Sequence, residues 1–283
     1  MRIAVASGKG GTGKTTVAVN LSLTAARAGQ TVHLCDCDVE EPNAHLFLDP
    51  DFDRSWPVTV PVPVVDPEAC KHCGECAALC EFNAIACLPE KTMIFADLCH
   101  SCGGCWLVCP HEAMTPSERS LGEVSTGTAG DVAFTQGRLR VGETLVPPLI
   151  EAVKGVPGDE PWVIMDAPPG TTCPVVETMR GADYVVLVTE PTPFGRHDLA
   201  LARDLAGKLG IPCGVVINRA GSLQSPVDDF CARENVEILA RIPFRREVAE
   251  VCAEGGLAME ADPDVAAALN DLFRALQSRE VTA

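Results

Sequence analysis

Basic residues are scarce in this sequence. Its 283 residues carry 22 Lys and Arg against 39 Asp and Glu, a formal net charge of −17. Nucleic acids and anionic membranes bind positive patches, so a surface this acidic disfavours both as partners. It suits basic protein partners instead. Long apolar runs are missing as well: no stretch of about 18 apolar residues suggests a membrane span. The opening MRIAVASGKGG has neither the basic region nor the longer apolar region of a secretory leader. A cytoplasmic location is therefore expected. Cysteine, by contrast, is abundant at fifteen residues. In a secreted chain these would read as disulfides, whereas in a cytosolic one such a density more often binds metal. With 47% hydrophobic residues, the length allows one large domain with a sizeable core plus a small insert.

The pattern opens as β–loop–α–β. Residues 2–6 (RIAVA) read as a buried strand, 14–28 as a helix stopped by Gly29, and 31–36 (TVHLCD) as a second strand. That start predicts a parallel, doubly wound α/β sheet. The rhythm then breaks. Residues 56–67 are proline-rich and extended, and 68–115 hold nine of the fifteen cysteines. Residues 120–143 read as hairpin material. The α/β rhythm returns with apolar runs at 162–166, 184–189, 213–218 and 236–242, and a last amphipathic helix is expected at 263–279. The expected division is 1–62 and 117–283 for the α/β domain, interrupted by an insert at 63–116.

Residues 8–16 read GKGGTGKTT. Gly8, Gly13, Lys14 and Thr15 satisfy the Gly-x4-Gly-Lys-Ser/Thr phosphate loop, and the strand before and helix after supply the context that motif needs. Glycines let the backbone N–H groups of Gly10, Gly11, Thr12, Gly13 and Thr16 turn inward on phosphates. Lys14 is expected to neutralise β- and γ-phosphate charge, with the Thr15 hydroxyl on Mg²⁺.

Lys9 adds an early second lysine, and KGGTGKTT resembles the deviant Walker A motif of the MinD/ParA/Mrp and nitrogenase iron-protein superfamily. The resemblance implies a P-loop ATPase working as an ATP-dependent homodimer, with Lys9 reaching the nucleotide of the facing subunit. Other segments fit it in order. In DCDVEEPN (36–43), Asp38 is expected to orient the attacking water and Asp36 to lie near the Mg²⁺ shell. In MDAPPGT (165–171), Asp166 would hold Mg²⁺ and Gly170 would face the γ-phosphate. Asn218, in INR, resembles the adenine-reading asparagine, and Pro243, in RIPF, would line the base.

The cysteines of the insert form two blocks. Residues 70–80 read C-x2-C-x2-C-x3-C and 99–110 read C-x2-C-x2-C-x3-C-P, an internal repeat. This spacing suits thiolates wrapping a cubane iron–sulfur cluster. Zinc sites come more often as separated C-x2-C knuckles. Two such blocks resemble a bacterial ferredoxin with two 4Fe–4S clusters. By that pattern the fourth cysteine of each block crosses over: Cys70, Cys73, Cys76 and Cys109 would hold one cluster, and Cys99, Cys102, Cys105 and Cys80 the other. Glu81 departs from the proline usual after the first block. His72, His100 and His111 are expected to be surface residues beside the clusters.

The other cysteines (35, 37, 87, 173, 213, 231 and 252) are expected mostly to pack as small hydrophobes. Cys173 lies seven residues past Asp166, the offset of a bridging-cluster ligand in nitrogenase iron protein. The alternative is a buried cysteine of the loop. The resemblance implies ATP hydrolysis coupled to a dimer rearrangement, and the paired-cluster segment makes ATP-gated electron transfer to a redox partner the first expectation for what that motion serves. The alternative is an Mrp-like carrier delivering metalloclusters, although the C-x-x-C of such carriers is missing among Cys213, Cys231 and Cys252. A positioning ATPase of MinD or ParA type is disfavoured by the charge, and by a terminal LFRALQSREVTA that is not a basic amphipathic helix.

Overall fold

A strand covered on both faces needs apolar residues at nearly every position, and the short apolar runs meet that need. The computed structural model describes residues 1–280, so the last three residues of LFRALQSREVTA lie outside it. The strands are β1 (Arg2–Ala6), β2 (Val32–Asp36), β3 (Asp51–Val65), β4 (Ile85–Leu88), β5 (Lys91–Ile94), β6 (Met114–Ala129), β7 (Val132–Leu139), β8 (Trp162–Asp166), β9 (Tyr184–Thr189), β10 (Cys213–Ala220) and β11 (Ile238–Pro243). The helices are α1 (Lys14–Arg27), α2 (His45–Leu48), α3 (Glu75–Leu79), α4 (Gly104–Val108), α5 (Pro147–Lys154), α6 (Cys173–Met179), α7 (Pro193–Lys208), α8 (Pro226–Glu234), α9 (Arg246–Ala253), α10 (Ala258–Ala261) and α11 (Pro263–Glu280). No helix among the described residues is long and apolar enough to cross a membrane.

The chain forms two compact units. The first, the nucleotide unit, comprises Met1–Ser55, Val124–Arg138 and the chain from Ile150 on. Its sheet runs β11-β10-β9-β1-β8-β2-β7, with β6 and β3 next in order. Every pair from β11 to β7 is parallel. β6 and β7 are joined by Gly130 and Asp131 alone, a connection short enough only for an antiparallel hairpin. Every residue of β2, β8 and β9 is buried. One face packs Ile3, Leu34, Ile164 and Val186 against Leu21 of α1 and Leu272 of α11. Alternate residues point the other way, and Ala4, Cys35, Met165 and Leu187 are equally buried. There the Cys35 thiol meets the Val153 carbonyl of α5, while α6 packs on β1 and α7 on β9. The sheet is therefore doubly wound, as expected.

The second unit comprises Trp56–Glu123 and Leu139–Leu149. The expected boundaries, 62/63 and 116/117, fall inside β3 and β6, and the proline-rich, extended stretch is part of β3. Proline removes a ladder donor and is tolerated at a sheet edge, and β3 ends the strand order. This unit has two small apolar clusters: Val60, Leu121 and Leu145; and Cys76, Ile85 and Met114. β4 and β5 form an antiparallel hairpin that pairs Cys87 with Thr92. Buried Arg119 of β6 holds Glu143 at 2.5 Å and donates to the Cys99 carbonyl at 2.9 Å.

Candidate functional sites

The phosphate loop fills residues 7–13, between β1 and α1. Gly13 has φ +91°, a conformation that L side chains avoid, and a Cβ there would lie 2.3 Å from the Asn218 amide nitrogen. A Cβ on Gly8 would lie 2.2 Å from the Asp198 carbonyl oxygen in α7. Close approach thus requires glycine at both positions, and turn geometry requires it at Gly13 as well. Asn218 reaches the loop and donates to the Thr12 carbonyl at 2.8 Å. The Gly170 amide, at φ +95°, donates to the Ser7 carbonyl at 3.1 Å, which ties the 166–170 loop to the phosphate loop.

Asp36 and Asp166 end adjacent strands in register, and both are fully buried. Their surroundings differ. Asp36 accepts backbone N–H bonds from Asp38 (3.1 Å), Asn43 (2.9 Å) and Ala44 (3.0 Å), which shapes the loop after β2. Neither oxygen of Asp166 has a hydrogen bond of ordinary geometry, although the Thr15 hydroxyl is near enough to favour its charged form. Burial pushes Asp36 up to about 7 despite those amides. Burial, and then the charge of Asp36, push Asp166 well above the usual carboxylate range. Burial raises Asp38 to about 6, opposed by Lys14. Lys14 acts on both Asp38 and Asp166 and is itself buried. Two desolvated carboxylates, one with free oxygens, beside a buried lysine and a threonine hydroxyl form a pole that fits a hydrated divalent cation.

Lys9 lies 3.2 Å from Glu190 at the end of β9, and Glu190 also holds Arg219. A cleft open to solvent is lined by Gly13, Thr16, Asn218 and Pro243, four of the residues expected at the nucleotide. It sits at the carboxyl ends of β10 and β11, where parallel α/β sheets take their ligands.

In the second unit the cysteine blocks repeat one backbone trace at an offset of 29 residues. Positive φ recurs at His72 and Ser101, Gly74 and Gly103, and Asn83 and Glu112. Each block has a five-residue helix, α3 or α4. Ala84 N–H donates to Cys80 Sγ and Ala113 N–H to Cys109 Sγ, both at 3.4 Å. Burial raises the Cys76 and Cys105 thiols, opposed by the N–H groups of Ala77 and Trp106. The first cavity is lined by Cys70, Cys73, Cys76 and Cys109, and the second by Cys99, Cys102, Cys105 and Cys80. Each wall contains the four cysteines of one crossed set that the ferredoxin resemblance implies, with Cys87 added in the first cavity and Cys76 in the second. Among the described residues no three His, Cys, Asp or Glu side chains converge as the ligands of one metal ion. The thiols of each set instead line the walls of a cavity. Iron clusters fit such a donor set, because each thiolate takes a separate iron.

With this geometry in view, the comparisons are informative. Residues 3–258 match the CobQ/CobB/MinD/ParA nucleotide-binding domain. The chain belongs to that family. It is a MinD/ParA-type P-loop ATPase. An uncharacterized protein of Methanocaldococcus jannaschii is 30% identical over 258 residues, covering 90% of each chain. The iron-sulfur cluster carrier protein of Pyrococcus horikoshii is 25% identical over 263 residues, covering 86% of this chain and 74% of the relative. Among solved structures, the septum site-determining protein MinD of Pyrococcus horikoshii, complexed with Mg-ADP, shares the fold with a TM-score of 0.60 at 22% identity, over 97% of this chain and 95% of that one.

Several residues of this MinD/ParA-type site were not foreseen. Phe244, Arg245, Val248 and Cys252 line the cavity beside Pro243. Arg245 is fixed by Asp262 at 3.2 Å and Asp264 at 2.7 Å. The helical spacing of Arg245, Val248 and Cys252 was the available signal, but it gives no direction toward a cavity. Cys173, expected to be buried, is exposed at the first position of α6. His100 stacks on Phe82 at 3.7 Å between ring centroids.

Proposed function

We propose that this ATPase couples a nucleotide-driven rearrangement of a homodimer to electron transfer through two 4Fe–4S clusters, held by a ferredoxin-like segment. The observation that carries the reading is the repeated backbone trace whose two cavities each draw their fourth thiol from the other block. Each cavity takes three thiols from its own block, Cys70, Cys73 and Cys76 or Cys99, Cys102 and Cys105, and Cys109 or Cys80 closes it. When bound, such clusters supply reversible one-electron transfer. Holding each cluster from two blocks favours retention over release.

At the nucleotide, Lys14 neutralises phosphate charge, and Thr15 and Asp166 hold the hydrated Mg²⁺. Asp36 fixes the loop that carries Asp38, which orients the attacking water. Gly170 senses the γ-phosphate through the loop it ties to Ser7. Asn218 exchanges its bond to Thr12 for the adenine edge, and Pro243 lines the base. Lys9 leaves Glu190 to reach the nucleotide of the facing subunit. ATP bound between subunits favours the closed dimer and shifts that population. The acidic surface suits docking to a basic redox partner and gives no support to nucleic acid or membrane binding.

The test is an anaerobic redox titration followed by electron paramagnetic resonance, with and without MgATP. A nucleotide-dependent shift in potential or spectrum is expected. Identical titrations would break the coupling. A second reading, an ATPase that carries iron–sulfur clusters to other proteins, is favoured by the relatives named as cluster carriers. It requires iron to pass to an apo-protein within a working cycle, whereas electron transfer requires it to stay.

A further inference from the structure

Cys87 belongs to neither block. Its counterpart 29 residues on is Pro116, so the second block has no equivalent thiol. It nevertheless lines the first cavity together with Cys70, Cys73, Cys76 and Cys109, which puts five thiols on one cavity wall. The register of the β4–β5 hairpin sets Cys87 opposite Thr92. The Thr92 hydroxyl stands between two sulfurs, 3.6 Å from Cys87 Sγ and 3.4 Å from Cys70 Sγ. It also lies 3.1 Å from His72 Nδ1, which is itself 3.6 Å from Cys70 Sγ. Cys70 is thus the one ligand of the first set linked to the fifth thiol by a single hydroxyl.

We propose that Cys87 is a reserve ligand of the first iron–sulfur site, able to take the iron position of Cys70. This rests on the two-cluster reading. In the exchange one iron–sulfur bond breaks and one forms. The Cys87 proton moves through the Thr92 hydroxyl to the departing Cys70 sulfur, and no electron changes hands. The second cavity's fifth thiol, Cys76, already belongs to the first set, so the second site has no spare thiol.

The test compares matched substitutions in the full chain, reading iron and sulfide content with electron paramagnetic resonance of the reduced protein. Wild type is expected to hold about eight irons, two cubanes. Cys70→Ala is expected to keep about eight, whereas Cys99→Ala, its counterpart, is expected to fall to about four. Cys70→Ala/Cys87→Ala is expected to fall to about four as well. Loss of a cluster from Cys70→Ala alone, with the wild type fully loaded, would overturn the proposal. A wild type without eight irons would instead overturn the two-cluster reading. Should the Cys70 variants not fold, Cys87→Ala keeps both sets intact. It is then expected to release iron to a chelator several-fold faster than wild type. An unchanged rate would overturn the proposal.

Discussion

The two units hold their sites by opposite means. In the nucleotide unit, the phosphate loop and the paired aspartates cap strands whose core is Ile3, Leu34, Ile164, Val186 and the helices above them. In the cysteine unit, the small cluster around Cys76, Ile85 and Met114 is packed by Cys80, Cys105 and Cys109, the thiols that also form the cavities. Its helices are single turns of five residues. A core of this size rarely suffices without a metal or disulfides. In the first unit the fold makes the site. In the second, on the two-cluster reading, the clusters would complete the fold.

The strongest test of that contrast is to remove iron. Amides of residues 66–113 are expected to lose protection from hydrogen exchange by orders of magnitude in the iron-free protein, while those of β1, β8 and β9 stay protected. Equal protection of the cysteine unit in both forms would erase the comparison. Lys14→Ala should then lower ATP turnover by roughly 10²–10³-fold, the scale seen when a preorganised charge is lost, without changing the thermal midpoint by more than a few degrees. Retained turnover would break the phosphate-site assignment.

A smaller effect separates fold from function at the paired aspartates. Their pKa values are raised in the folded state, Asp36 from 3.8 to about 7, so the cation-free fold binds more protons than the unfolded chain. Through Asp36, stability should therefore fall as pH rises from about 4 to about 7, with Asp166 adding to the fall in the same direction. Thermal melts at pH 5 and pH 8 should show this drop. MgADP should raise the midpoint more at pH 8, and Asp166→Asn should reduce both the drop and the MgADP effect. The smallest change expected is at Lys9. Glu190→Gln removes a partly exposed ion pair, of order 0.5 kcal/mol, and should strengthen ATP-dependent dimerisation about two-fold by light scattering. Weaker dimerisation would mean that Glu190 supports the dimer instead of restraining Lys9.

The legibility of the sequence follows the same divide. β1, β8 and β9 stand at the expected residues because strands buried on both sides admit only apolar runs. GKGGTGKTT was legible because a loop that wraps phosphate leaves almost no choice of residue. The edge strand β3 was not, since Pro57, Pro61 and Pro63 mark only an extended stretch until its place at the end of the sheet is known. The two cysteine blocks were legible as a repeat because their spacing is local to each block. The place of Cys87 was not, because a hairpin register brings it to the cavity, and no motif records that register. Phe244, Arg245 and Cys252 were hidden for a similar reason: a cavity wall is assembled from distant segments, and local pattern reports only the local ones.

The exchange of fourth thiols between the blocks also sets a clock on biosynthesis. Cys70 leaves the ribosome 39 residues before Cys109, and the first cavity lacks a wall until Cys109 has emerged. At roughly 5–20 residues per second that interval is roughly 2–8 s. The second cavity, needing Cys80 and then Cys109's neighbours up to Cys105, is walled slightly earlier. Both close almost together, near the end of the second block. On the two-cluster reading, a nascent chain would therefore spend seconds with both cavities open and then gain both sets of thiols within a few residues of synthesis.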